Sequence, residues 1–445
     1  MRGVALGLGL IVVLAAAAGV VARDGRRQEP PAFRCGRRPV AALEVFNADG
    51  SRRWRQMLPA RVTESQTSPL ADEARVYTSE GGLAAFDIQT GGPVWSLPIK
   101  GPVYSEWLDG NQVIAVAEPI GGQGTILGVN AASGRVRWNY QIPEGHLLGE
   151  GIRTGDGGLA LLSPDGAVRV LDMADGRIRW AIPPVGPENP EAPVAMAAGD
   201  GFVVVAHAGT MTGLNAGDGT VRWRTQVAVR SFPRLAGAAI VLFDTTVDQK
   251  LAVMGYGLDD GQRRWQMPPT PFTEVPSTIE PLVILSHGYP DRMLQAVDPA
   301  TGAVRWQSDL GPSLIREAAT GPTDLVTMQA TVDVKDTRLV VRHLNDGTVS
   351  SDTPLPHGYL DNMIATPDGG YYGVLSSLVI GDLSQQITAF RRGRLTWTVR
   401  LVSQVQRPPA ILPSGGIAVQ EADPECIPNA QRAGTAAGDI GRSPG

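Results

Sequence analysis

Nine times along this 445-residue chain a Gly-containing turn is followed, four residues later, by the same slot, and in eight of the nine that slot holds Trp. The tryptophans are Trp54, Trp95, Trp138, Trp180, Trp223, Trp265, Trp306 and Trp397, with Ser351 in the slot after Gly347. Successive slots lie 41, 43, 42, 43, 42, 41, 45 and 46 residues apart, a period that places one supersecondary unit in each repeat. A bulky aromatic recurring at one place in every unit is expected to pack units together rather than to bind a ligand.

Within a unit, Ala167 to Trp180 reads as an alternating apolar run, a polar turn and a second short run ending on Trp, which predicts a hairpin. Five copies share a turn running from Asp or Asn to Gly: Asp87 to Gly91, Asn130 to Gly134, Asp172 to Gly176, Asn215 to Gly219 and Asp298 to Gly302. The Asx side chain caps backbone amides two residues on, and Gly takes positive φ without a Cβ clash. The turns at Gly50, Gly347 and Gly393 lose the Asx or move it closer, and the Gly261 copy has Gly257 in its place. Another pair of apolar runs precedes each hairpin, as Gly201 to Ala206 and Gly209 to Leu214 do. Four short strands in about 42 residues make the blade of a β-propeller. With 54 Gly and 35 Pro spread throughout, helices of ordinary length would be broken.

The recurring form in Val297 to Trp306 (VDPATGAVRW) and Val129 to Trp138 (VNAASGRVRW) resembles the pyrroloquinoline-quinone-type propeller repeat, from about Val40 to Gln420. The resemblance implies an all-β propeller of four-stranded blades. Nine copies suggest nine blades, whereas family precedent favours eight, with the first hairpin or the Gly347 copy outside the ring. The strand pair Ala410 to Gln420 is expected to pair with the hairpin Val40 to Gln56, closing the ring and removing exposed edges. One branch of the family comprises quinoprotein alcohol and glucose dehydrogenases. Another keeps the propeller without the cofactor and includes an outer-membrane assembly scaffold and some sensor ectodomains.

The dehydrogenase branch implies adjacent cysteines near the quinone, a Trp stacked beneath it and Glu, Asn and Asp calcium ligands. Here the two cysteines are far apart in sequence and Trp107 is the lone Trp outside the ladder. Quinone chemistry belongs to the cofactor and its metal, so no catalytic, cofactor-binding or metal residue is assigned. The histidines His146, His207, His287, His343 and His357 never fall at metal-ligand spacing. Gly121 to Gly124 leads into a strand without the Lys-Ser/Thr of a phosphate cradle.

Residues 3–22, after Met1 and Arg2, are uninterruptedly apolar and long enough to cross a bilayer as a helix. They predict a signal anchor over 1–22, with a cleaved signal peptide, and hence secretion, as the alternative. Six arginines between Arg23 and Arg38 run against the positive-inside tendency, yet export remains the reading. Residues 23–39 form an Arg- and Pro-rich stalk, 40–426 the propeller, and 427–445 a Gly- and Ala-rich tail expected to be disordered. If the chain ends meet at closure, Cys35 and Cys426 share a seam where a disulfide would lock the ring in an oxidising compartment; otherwise they are two free thiols. A net charge of −5 and the absence of a basic stretch exclude a general nucleic-acid binder.

Function is then expected on the surface. Two Pro-rich, acidic connections are candidate partner loops: Pro183 to Pro193, carrying Glu188 and Glu191, and Pro268 to Pro281, carrying Pro269, Phe272, Glu274 and Glu280. Proline stiffening lowers the entropy lost on docking. The expected role is a membrane-tethered, extracytoplasmic, non-catalytic scaffold for envelope or secreted proteins. A quinone enzyme or small-ligand binder using the central channel is the alternative, and a sensor ectodomain a third.

Overall fold

A computed structural model describes residues 41–58, 67–99, 101–117, 123–143, 151–163, 166–183, 194–199, 201–228, 233–245, 251–267, 273–279, 282–287, 292–331, 336–355, 358–377, 384–401, 404–405 and 407–422. These residues build nine antiparallel sheets. Eight are consecutive four-stranded blades: blade 1 (70–97), blade 2 (103–141), blade 3 (152–182), blade 4 (194–226), blade 5 (234–266), blade 6 (273–309), blade 7 (313–354) and blade 8 (358–400). The first strands of neighbouring blades approach one another and form the inner ring.

Blade 9 joins the two ends of the sequence. Strand Ala41–Phe46 pairs on one side with Arg52–Leu58 and on the other with Ile417–Ala422, and the short strands Gln404–Val405 and Ala410–Ile411 pair with Ile417–Ala422 from inside. The blade count is therefore nine, and the eight favoured by family precedent is corrected. The first hairpin lies inside the ring because it supplies the two outer strands that the C-terminal strands lack. The Gly347 copy is an ordinary third-to-fourth-strand turn, pairing Thr337–His343 with Val349–Pro354.

Nine hydrophobic clusters each straddle one blade seam, so the core is a ring of wedges. Strands covered by blades on both faces are apolar at successive positions: Phe202–His207 is buried throughout. An outermost strand is covered on one face, and in Val221–Gln226 only Trp223 is buried.

One device repeats around the ring. In every blade the register between third and outermost strands slips one residue before the slot, leaving Arg53, Val94, Arg137, Arg179, Arg222, Arg264, Arg305, Ser350 or Thr396 unpaired. A bulge re-aims the next side chain, and each Trp then points at the following blade. Its indole Nε1 donates to a turn carbonyl there, from Trp54 to Ile88 through Trp306 to Leu344, and Trp397 to Ala48 closes the circle; all eight bonds measure 2.7–3.1 Å. The turn Gly of the next blade lies against the same indole: at Gly50, Gly91, Gly134, Gly176, Gly219, Gly261, Gly302 and Gly347 a Cβ would fall 2.3–2.7 Å from a ring atom. Asx side chains shape these turns, as where Asp87 Oδ1 accepts from the Thr90 amide at 2.7 Å.

Among the described residues no helix is long and apolar enough to cross a membrane. The apolar segment 3–22, the stalk 23–39, Cys35, Cys426 and the tail 427–445 lie outside the described residues.

Candidate functional site at the inner ring

Three places around the ring depart from the repeat. The first is a cavity of about 760 Å³. Trp107 and Asp109 reach it from the innermost strand of blade 2, Val103–Asp109, and Ile152 and Arg153 from the innermost strand of blade 3, Ile152–Arg153. Met173 and four glycines of blades 3 and 4 complete the lining. Two of these, Gly155 and Gly157, sit at φ +83° and +82°, and with no side chains they leave the mouth open. Trp107 packs one side against the core between blades 2 and 3.

The second place is the blade 7–blade 8 seam, where the ladder has Ser351. The facing turn is shortened: Arg391 pairs with Arg394, and Arg392 and Gly393 take φ +49° and +72°. This two-residue turn with both central φ values positive stands where the other blades carry a longer turn. A Cβ at Gly393 would lie 2.1 Å from the Ser351 hydroxyl, so Ser351 fills the space. Thr353 Oγ1 bonds to the Gly393 carbonyl at 2.6 Å, bridging the seam in place of an indole. On the inner ring of the same seam the strands Ser313–Thr320 and Gly358–Ala365 both slip register, at Arg316 and at Asn362 with Met363. Asn362 is at φ +52°, a conformation Asn tolerates better than most residues. Beside these bulges Asp361 is pushed up to about 6, chiefly by burial and further by the Glu317 charge, and burial raises Glu317 as well. Ser376 Oγ donates to Asp361 at 3.3 Å.

The third is a set of acids where blades 9, 1 and 2 meet. Burial pushes Glu106 up to about 8, partly countered by the Thr67 and Ser79 hydroxyls. Burial alone pushes Glu80 to about 7; Gln420 Nε2 donates to its Oε2 at 3.2 Å, and Thr78 Oγ1 donates to Gln420 Oε1 at 2.5 Å. In the closing sheet Glu44 is fully buried and paired with Arg52 at 2.8 Å and Arg55 at 3.1 Å.

Residues singled out by sequence are dispersed. Pro183 is exposed after the outermost strand of blade 3, and Glu274 lies in the innermost strand of blade 6, Thr273–Ile279. Glu188, Glu191, Pro269, Phe272 and Glu280 lie outside the described residues, as do His146 and His357. His207 is buried in blade 4, and His343 contacts Asp324 at 2.9 Å in blade 7. Among the described residues no group of three or more His, Cys, Asp or Glu is placed to hold a metal ion.

Sequence reasoning missed two features. The first is the bulge arginine, whose guanidinium closes on the turn, as from Arg305 to Asp298 at 2.6 Å and Arg264 to Asp260 at 2.7 Å; Arg directly before Trp in six copies is its signal. The second is Arg342, buried in blade 7 with one bond, Nη2 to Ser308 Oγ at 3.2 Å.

The sequence matches the family model of the outer membrane protein assembly factor BamB over residues 40–192 and 164–354. Solved structures similar in fold include BamB from Moraxella catarrhalis, at 16% identity over 66% of this chain and 88% of that one, TM-score 0.42. A eukaryotic initiation factor aligns at 10% identity over 81% and 96% of the two chains, TM-score 0.57. A europium-containing methanol dehydrogenase aligns at 12% identity over 63% and 76%, TM-score 0.41. No match was found among curated proteins.

Proposed function

This chain belongs to the family of the outer membrane protein assembly factor BamB, and on that premise we propose that it is a non-catalytic, protein-binding scaffold of the bacterial cell envelope. In this reading the apolar segment 3–22 tethers the propeller to the membrane on its extracytoplasmic side, and Cys35 and Cys426 form a disulfide across the closing seam. The observation that carries the binding role is the rim. Among the described residues the eight large apolar side chains that stand 43–54% exposed, Val94, Val136, Ile178, Val221, Val304 and Leu395 among them, all lie on outermost strands. Each sits on the last strand of its sheet, beside unpaired backbone donors and acceptors. Such edges accept an added strand from a partner, with main-chain bonds giving affinity and side chains giving selectivity. The Pro-rich, acidic connection 183–193 is kept as a further candidate contact on its sequence, whereas the connection 268–281 includes the innermost strand Thr273–Ile279 and so carries Glu274 on the inner ring, not on the rim.

Photo-crosslinking residues placed at Val136, Ile178 and Val221, and in the two connections, test the reading in intact cells. Discrete protein adducts from rim or connections are expected. No adduct at any position, together with thermal stabilisation of the purified chain by added quinone and calcium, would overturn it. Labelling of Cys35 and Cys426 by a membrane-impermeant thiol reagent in whole cells, only after reduction, is expected for an exported and bonded pair.

A further inference from the structure

We infer that the cavity between blades 2, 3 and 4 is a binding site for a small zwitterion, a free α-amino acid with a large apolar or aromatic side chain. The inference stands apart from the rim and its partners. At about 760 Å³ this solvent-open hollow has room for a small molecule, and the lining divides into two chemistries. The apolar side of the lining is chiefly Trp107, partly exposed so that indole surface is available, with Ile152 partly exposed and Met173 itself buried. Asp109 and Arg153 supply one anion and one cation from adjacent innermost strands.

Among the described residues neither charge has an ion-pair or side-chain hydrogen-bond partner, and the two are not bonded to each other. Elsewhere on this molecule arginines close on nearby carboxylates, as Arg179 does on Asp156 and Asp172 at 3.2 and 3.1 Å. Opposite charges held apart in one concavity select a ligand. An anion alone meets the Asp109 carboxylate, a cation alone meets the Arg153 guanidinium, and a neutral polyol leaves both unpaired. A molecule with ammonium and carboxylate on one carbon satisfies both, its carboxylate taking the guanidinium fork and its ammonium the aspartate. Its side chain then lies on Trp107, where an aromatic or large aliphatic group buries most area. The open backbone at Gly155 and Gly157 gives the path in.

Calorimetric titration of the full chain with phenylalanine, tryptophan and leucine tests this, beside N-acetylphenylalanine, phenylalaninamide and glucose. Saturable binding of at least one free amino acid is expected, weakened about tenfold or more when either charge is blocked. Asp109→Asn should erase the difference between phenylalanine and its N-acetyl form, and Arg153→Gln the difference between phenylalanine and its amide. Asp109 is partly exposed and Arg153 exposed, so both variants should keep the parent melting temperature. Absence of binding by all three amino acids, glucose binding as tightly as they do, or amino-acid affinity unchanged in both variants would each overturn the assignment.

Discussion

The pairing of each turn glycine with the preceding blade's indole makes a quantitative prediction at Trp180 and Gly219. Trp180 is 8% exposed and donates to the Ala216 carbonyl at 2.7 Å. Trp180→Ala deletes this buried ring and leaves the carbonyl unpaired, a loss of about 3–5 kcal/mol. Gly219→Ala faces two separate penalties. Its φ of +73° costs an L-residue about 1–2 kcal/mol wherever it occurs. Its new Cβ would also sit 2.6 Å from Trp180 Cδ2 and Cε3, well inside the roughly 3.5–4.0 Å of a favourable contact, and relieving that overlap adds about 1–3 kcal/mol. In the Trp180→Ala background the second penalty vanishes and the first remains. The two substitutions should therefore be sub-additive by about 1–3 kcal/mol, measured from denaturant midpoints at constant slope. Additivity within about 0.5 kcal/mol would mean that glycine is required by the turn alone, and that the indole does not act on it.

Restoring the missing ladder residue with Ser351→Trp should lower the melting temperature, because Gly393 lies so close to Ser351 that no room is left for an indole, and the Gly393 carbonyl already accepts from Thr353 Oγ1; a rise in melting temperature would refute the account of that seam. Arg342 stands where other blades have Phe46, Phe86, Val129, Leu171, Leu214, Tyr256, Val297 and Phe390 at the same register, so Arg342→Leu should leave stability unchanged or raise it by about 1–4 kcal/mol in chemical denaturation. Glu106 titrates near 8 in the fold against about 4.3 unfolded. The folded state thus keeps a proton that the unfolded chain releases, and stability falls as pH rises through that window. Glu106→Gln should flatten the melting-temperature decline between pH 5 and 8 relative to the parent and be the more stable protein at pH 8; parallel profiles would contradict a buried acid there.

The fold was legible because its two requirements fall on rare residues at fixed spacing. A positive-φ turn selects Gly, and a deep inter-blade slot selects Trp, so the period survives wide variation between. The strand on which Trp lies, and the bulge that aims it, are set by a one-residue register slip that no spacing of the slots encodes. Only the bulge arginine hinted at it, and Arg next to Trp in an alternating strand reads as an ordinary solvent-facing residue. The inner-ring features were illegible for a related reason. Asp109, Arg153 and Trp107 come from two blades, and each looks like the polar or aromatic member of a short strand. Glu44 and Glu106 occupy positions that alternation alone would assign to solvent, and neighbouring blades bury them.

Blade number shows how local chemistry decides a global property. Counting slots gives nine, but a count cannot say whether the terminal hairpin closes the ring or hangs from it. The decision lies in two contacts that only a closed ring can make. Trp397 reaches the Ala48 carbonyl at 2.8 Å across 349 residues of sequence, and a Cβ on Gly50 would strike that same indole at 2.6 Å. Gly50 and Trp397 are thus the eighth indole–glycine pair of the same device, split between the two ends of the chain. An open arrangement would expose Trp397 and the buried strand Ile417–Ala422, whose Ile417, Ala418 and Val419 are fully covered. It would also strip Glu44 of its closed environment beside Glu421, which Arg55 Nη2 approaches to 4.0 Å. Closure is favoured at both the slot and the sheet edge, and nine follows from the geometry of one seam.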